Sequence, residues 1–159
     1  MSSYPQQPQQ TEQYAAQTGE PPLWAPYYGA PIGAAVKRFF KKYATFSGRA
    51  SRSEYWWVAL VLGVVGIVLQ ILAGVLGAAG ATTTSSGTVP GPGFVIGVII
   101  YVVFYLAILI PSLSLLVRRL HDGNFSGWLA LLVVVPIVVF VLSLLPSNPA
   151  GQRFDQPTA

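Results

Sequence analysis

The side chains able to do chemistry in this chain fall in two short stretches. Arg49, Arg52 and Glu54 precede a long apolar run, and Arg118, Arg119, His121 and Asp122 follow one. Guanidinium groups gathered in this way bind phosphate, lipid headgroups included, and they pair with carboxylates. Glu54 and Asp122 are available as partners, so the same set also reads as interfacial anchoring with intramolecular ion pairs. His121, Asp122 and Ser126 are the residue types of a nucleophilic triad, but they share one short turn. Adjacent His and Asp side chains on one turn seldom align so that the carboxylate orients the ring toward a third group. One His and few carboxylates do not make a metal site, and no P-loop or Gly-rich dinucleotide fingerprint occurs. With no Cys, disulfides, thiol catalysis and thiolate metal sites are excluded. The expectation is a protein that is not an enzyme, with no cofactor and no metal.

These stretches need elements to position them, and the composition names the kind. Of 159 residues 53% are hydrophobic and 9% charged, against about 25% charged in an average soluble domain. The mean hydropathy is +0.56. A disordered regulator is excluded and an ordinary soluble enzyme disfavoured. From Tyr55 to Val117 there is no Lys, Arg, Asp or Glu, and residues 82–93 divide this run with Thr, Ser, Gly and Pro. A first membrane helix is expected at about 54–81. Ser51 and Glu54 have capping-box spacing at its start, and Trp56 and Trp57 form an aromatic belt. A second is expected at about 94–117, interrupted by Pro111, with residues 118–127 as a polar turn. A third follows at about 128–145, opened by Trp128 and containing Pro136. Its length corresponds to roughly 27 Å at about 1.5 Å per residue, just enough for the hydrocarbon core. Ala73/Gly77 and Gly74/Ala78 allow close helix approach, and Gln70 is suited to bonding a neighbouring helix.

The predicted fold is therefore an all-α membrane protein, a three-helix transmembrane bundle over residues 48–145. An amphipathic interfacial helix over 33–47 precedes it. Phe39, Phe40 and Tyr43 share a narrow face with Val36, with Lys37, Arg38, Lys41 and Lys42 around the rest. Residues 1–32, with six Pro and six Gln, read as a disordered tail. Residues 146–159 read as a polar C-terminal tail. Met1–Pro8 lacks the pattern of a secretory signal, so the first membrane helix is expected to be an uncleaved anchor. Six of the nine Lys and Arg lie between Lys37 and Arg52, which predicts that this stretch is cytoplasmic. Three crossings then return Arg118 and Arg119 to the cytoplasmic side and leave the C-terminus outside. Because the basic stretch abuts a membrane segment, anionic lipid is the expected partner and nucleic acid is not.

Two segments carry a family resemblance. Phe46-Ser-Gly-Arg-Ala-Ser-Arg-Ser-Glu-Tyr-Trp-Trp57 resembles the opening signature of small bacterial inner-membrane proteins grouped as domain of unknown function 805. Arg118-Arg-Leu-His-Asp-Gly-Asn-Phe-Ser-Gly-Trp-Leu-Ala-Leu-Leu132 resembles their second signature. The family closes with an Asn-Arg-Phe-Gly-type segment followed by Asp-Pro, and Gly151-Gln-Arg-Phe-Asp-Gln-Pro157 is a loosened version. The resemblance spans about residues 36–157. It implies a few membrane helices with polar signatures on one face and no established biochemical activity. The signature residues are largely the polar cluster named above. The expected role is a non-enzymatic subunit docking on a larger membrane complex or on itself. The alternative is an anionic-lipid-binding or small transport protein using the arginine cluster.

Overall fold

The structure, a computed structural model, describes residues 19–155. The expected tail over residues 1–18 and residues 156–159 lie outside the described residues. Among the described residues four α-helices are formed: α1 Ile32–Lys41, α2 Arg52–Ala78, α3 Gly93–Asp122 and α4 Pro136–Leu144. Two 3₁₀ helices, Gly127–Val134 and Pro149–Phe154, flank α4.

The start of α2 forms as its sequence requires. The Glu54 amide donates to Ser51 Oγ at 3.2 Å, and the Ser51 amide donates back to Glu54 Oε2 at 2.9 Å. That reciprocal pair satisfies two amides the helix leaves open. Downstream, an uninterrupted apolar sequence without charges continues the helix for 27 residues. Helix α3 runs for 30 residues and carries Pro111 inside it. It does not stop at Val117. Arg118 to Asp122, expected as a turn, form its last turns, where Arg119 and His121 suit the negative end of the helix dipole. Both helices are long and apolar enough to cross a membrane.

The chain divides into two compact units. Residues 59–110 form one, a hairpin of the middle of α2 against the first part of α3. Gly97 lies directly against Ala73, where an added Cβ would fall 2.6 Å from Ala73 Cα. Gly77 packs under the Phe94 ring. Small residues thus do allow close approach, as expected for a membrane interface. Gly63 and Gly74 face open space, and Gln70 is exposed and bonds no neighbouring helix. The connection is a short antiparallel ribbon, which an all-α expectation omits. Strand β1, Thr82–Thr84, pairs with β2, Gly87–Val89, in the register Thr82 to Val89 and Thr84 to Gly87. β-Branched Thr and Val favour this geometry, and Gly87 takes the positive φ of 131° that the turn demands.

The other unit comprises the residues up to Val58 together with those from Pro111 onward. Its apolar core joins Leu116 and Leu120 of α3 to Ala130 and Val139, with Tyr55, Phe125 and Leu142 packed around them. The single helix expected over 128–145 is not formed. Pro136 opens α4 at its first position, and Val135 before it takes φ −116° and ψ 81°. A residue preceding proline is pushed out of the helical region, so Gly127–Val134 ends as a separate 3₁₀ segment. Both ends of this broken segment meet the last turns of α3. Gly127 lies beside Val117 and His121, while the Ser143 carbonyl accepts from Arg119 at 3.1 Å.

Helix α1 is shorter than the expected interfacial helix and turns a different face inward. Phe40 and Tyr43 are exposed as anchors should be, but Phe39 is buried. Arg38 and Lys42, expected on the solvent face, are buried with it. The reason lies in residues 19–31, expected as the end of a disordered tail. They form turns that supply backbone carbonyls to Arg38, and Ala25 and Ala30 are buried among them.

Candidate functional site

The polar residues singled out from sequence converge in the second unit, at the end of α3, and most of them bond to each other. Glu54 is buried at 2% exposure. Its Oε1 accepts from Arg38 Nε at 2.7 Å, and its Oε2 accepts from the amides of Tyr27 and Ser51, each at 2.9 Å. The rest of the Arg38 guanidinium is wrapped by the preceding turn, donating to the carbonyls of Pro21 at 2.8 Å and Pro22 at 3.1 Å. A planar fork of five donors suits such a ring of carbonyl oxygens.

Asp122 is the second centre and is fully buried. Its Oδ1 accepts from the Tyr28 hydroxyl at 2.8 Å. Its Oδ2 accepts from Arg119 Nη1 at 2.6 Å and from the Ser147 hydroxyl at 2.5 Å. Arg119 also donates to the carbonyls of Ser143 and Leu145. Burial first, and then the neighbouring Asp122 carboxylate, push the Tyr28 hydroxyl up to about 12, so it remains a donor at neutral pH.

Arg49 closes the assembly. It donates to both carboxylate oxygens of Asp155, Nε to Oδ1 at 2.9 Å and Nη2 to Oδ2 at 2.6 Å. Burial alone would lower the Arg49 pKa, but the hydrogen bonds and charge of Asp155 outweigh it and raise it. Beside this pair the Gly48 amide donates to the Phe154 carbonyl at 3.0 Å. Gly48 itself has φ 79°, and a Cβ there would fall 2.9 Å from the Trp24 carbonyl oxygen. His121 Nδ1 lies 3.1 Å from the Gly48 carbonyl oxygen and therefore carries its proton there. The ring stacks on Phe154 at 4.0 Å, and the Arg153 guanidinium lies over the other ring at 4.6 Å.

These partners decide several expectations. His121 and Asp122 turn to different neighbours, and Ser126 is exposed, so the three are not chained by hydrogen bonds. Arg52 is exposed at the start of α2 and stands outside the knot. Trp57 and Trp128 are exposed, whereas Trp56 packs edge-on against Phe140 at 5.6 Å. The C-terminal segment, expected as a polar tail, is tied back to Arg49 through Asp155. An apolar cavity of about 750 Å³ opens beside the knot, lined by Val117, His121, Trp128 and Phe154 among others.

Sequence reasoning placed Lys42 on a solvent face and passed over Ser114. Ser114 is fully buried, and its hydroxyl donates to the carbonyls of Lys42 at 3.1 Å and Thr45 at 2.6 Å. Its own carbonyl accepts from Arg118 Nε at 3.2 Å. A serine placed inside an apolar helix one turn before Arg118 was the available signal.

Residues 43–156 match the family described as "Protein of unknown function (DUF805)". The chain belongs to this family. It is 33% identical to "Inner membrane protein YhaI" of Escherichia coli strain K12 over 105 residues, 66% of this chain and 75% of the relative. It is 31% identical to "Inner membrane protein YhaH" of the same strain over 121 residues, 74% of this chain and 89% of the relative. No solved structure matches. By this homology the chain is an inner-membrane protein of unknown function. Within this DUF805 chain residues 46–57, 118–132 and 151–155, which carry the resemblance, meet in one knot of ion pairs and hydrogen bonds. In the closing segment Phe154 stacks on His121, Arg153 lies over Phe154, and Asp155 bonds Arg49.

Proposed function

We propose that this is a non-enzymatic, two-crossing inner-membrane subunit that serves as an accessory or scaffold in a larger membrane assembly. Helices α2 and α3 cross the membrane. Gly127–Leu144 enters it and returns to the side it left. The knot holds the chain from residue 19 and the C-terminal segment together on the cytoplasmic face. The observation that carries this reading is the Arg49–Asp155 pair, since bonded residues share one side of the membrane. At about 1.5 Å per residue, 27 residues extend roughly 40 Å, ample for a hydrocarbon core of about 30 Å. The basic stretch before α2 favours the cytoplasm for the knot. The charged groups of Glu54, Arg49, Arg119 and Asp122 are engaged in holding the fold, which supports a role in assembly over one in conversion.

The natural absence of Cys makes the test direct. Single cysteines are placed at Thr83 and at Gln152 and exposed to a membrane-impermeant maleimide in right-side-out vesicles. Labelling of Thr83→Cys alone is expected, with Gln152→Cys reacting only after permeabilisation. Labelling of both from outside defeats the topology. Extraction in a mild, lipid-preserving detergent followed by mass analysis should show a stoichiometric protein companion or a defined oligomer. A bare monomer under every such condition defeats the accessory role.

A further inference from the structure

Among the described residues, charge in the knot is balanced except at one place. Lys42 and Arg118 are 3% and 1% exposed, and Lys42 Nζ and Arg118 Nη2 are buried without a hydrogen-bond partner. Ser114 ties the Lys42 backbone to the Arg118 side chain: its hydroxyl donates to the Lys42 carbonyl, and its own carbonyl accepts from Arg118 Nε. The carboxylate that acts most strongly on both is Glu54, and both of its oxygens are already taken by Arg38, Tyr27 and Ser51. Arg38 adds a third buried cation to the same neighbourhood. Leaving buried cationic donors unpaired costs several kcal/mol per ion, and an arginine does not escape that cost by losing its proton.

We propose that Lys42 Nζ and Arg118 Nη2 form a binding site for one phosphate group, carried by an anionic lipid headgroup or free in solution. Phosphate supplies the charge and the acceptor oxygens that the two nitrogens lack, and guanidinium matches it in geometry. Lys42, on a flexible stem just beyond α1, is the element that adjusts to admit it. Burial, followed by the Arg118 charge, holds Lys42 down to about 7 without an anion. Glu54 and Asp155 act on it in the opposite sense and Arg38 in the same sense as Arg118. Binding therefore strengthens as pH falls through neutrality. The site follows from the fold and is independent of the accessory role.

The test uses the full chain in mild detergent. Native mass spectrometry and thermal unfolding are followed with added phosphatidylglycerol, phosphatidylcholine or inorganic phosphate. One retained phosphatidylglycerol and a raised Tm are expected. Lys42→Met and Arg118→Met should each weaken binding by about tenfold, the loss of one charge-assisted contact. Arg52→Met, an exposed charge on the same segment, should bind as the wild type does. Phosphatidylglycerol binding insensitive to inorganic phosphate identifies a lipid headgroup. Stabilisation by inorganic phosphate that also displaces the lipid identifies a free anion. If neither binds, or both Met variants bind like the wild type, the proposal is overturned. Should Arg118→Met not fold, Lys42→Met decides alone.

Discussion

Asp155 takes both of its oxygens to Arg49, at 2.6 and 2.9 Å, although 106 residues separate them. Both side chains are nearly buried, at 6% and 9% exposure. Breaking one partner of a buried pair strands a charge and costs about 3–5 kcal/mol. Asp155→Asn is expected to lower the detergent-solubilised Tm by many degrees and to expose Gln152 and Arg153 to protease. Arg49→Met with Asp155→Leu removes both charges and should recover much of the loss. If Asp155→Asn unfolds like the wild type, the pair does not hold the C-terminal segment.

The Ser51–Glu54 capping box separates two energies that one site combines. Ser51→Ala removes a cap and should cost about 1 kcal/mol. Glu54→Gln also removes the charge facing buried Arg38 and should cost about 3 kcal/mol or more. Chemical unfolding monitored by helix content ranks the two. Equal losses would mean that the Arg38 contact adds nothing to the cap.

The capping box was legible because its partners lie three residues apart. The two long helices were legible because apolar runs without charge have few alternatives. Pro136 also carried a readable signal, since proline displaces its predecessor from the helix, and the β-branched Val133 to Val135 before it favour a break. The fate of Arg38 was not legible. Its neighbours on α1 place it on a polar face, and its burial depends on carbonyls from residues 21–25 folding back over it. The same holds for Asp155, whose partner is chosen by tertiary structure. Local pattern thus located the polar cluster, while long-range contact decided which members are satisfied and left Lys42 and Arg118 apart.

Lys42 gives the stability of the anion-free protein a pH dependence of definite sign. An unfolded lysine titrates near 10.4, whereas Lys42 in the fold is held down to about 7. Between these values the unfolded chain binds more protons, so stability rises with pH across that window. From pH 7 to 9 the gain is on the order of 2 kcal/mol, and below about 7 the Lys42 contribution flattens. The raised Tyr28 hydroxyl lowers stability only as pH climbs past the unfolded tyrosine value near 10, so it leaves the rise from pH 7 to 9 intact. Denaturant unfolding in phosphate-free buffer should show the rise in the wild type and lose it in Lys42→Met. Identical slopes in both proteins would contradict the burial of an ionisable amine at this position.

The helix hairpin of residues 59–110 rests on one close approach that a single methyl group tests. A Cβ at position 97 would fall 2.6 Å from Ala73 Cα and 2.7 Å from its Cβ, backbone and core atoms that have no room to move. Gly97→Ala should therefore force the helices apart and cost about 1–3 kcal/mol, the range for overpacking. Gly74 stands on the same helix as Ala73 with nothing within 4 Å. Gly74→Ala should be neutral or slightly stabilising, because alanine orders at less entropic cost than glycine. The contrast removes general sensitivity of the membrane helices as an explanation. Thermal unfolding of both variants in one detergent reads it directly. Equal stability would mean that α2 and α3 do not meet at Ala73 and Gly97, and a loss confined to Gly74→Ala would place the contact on the face of α2 that carries Gly74.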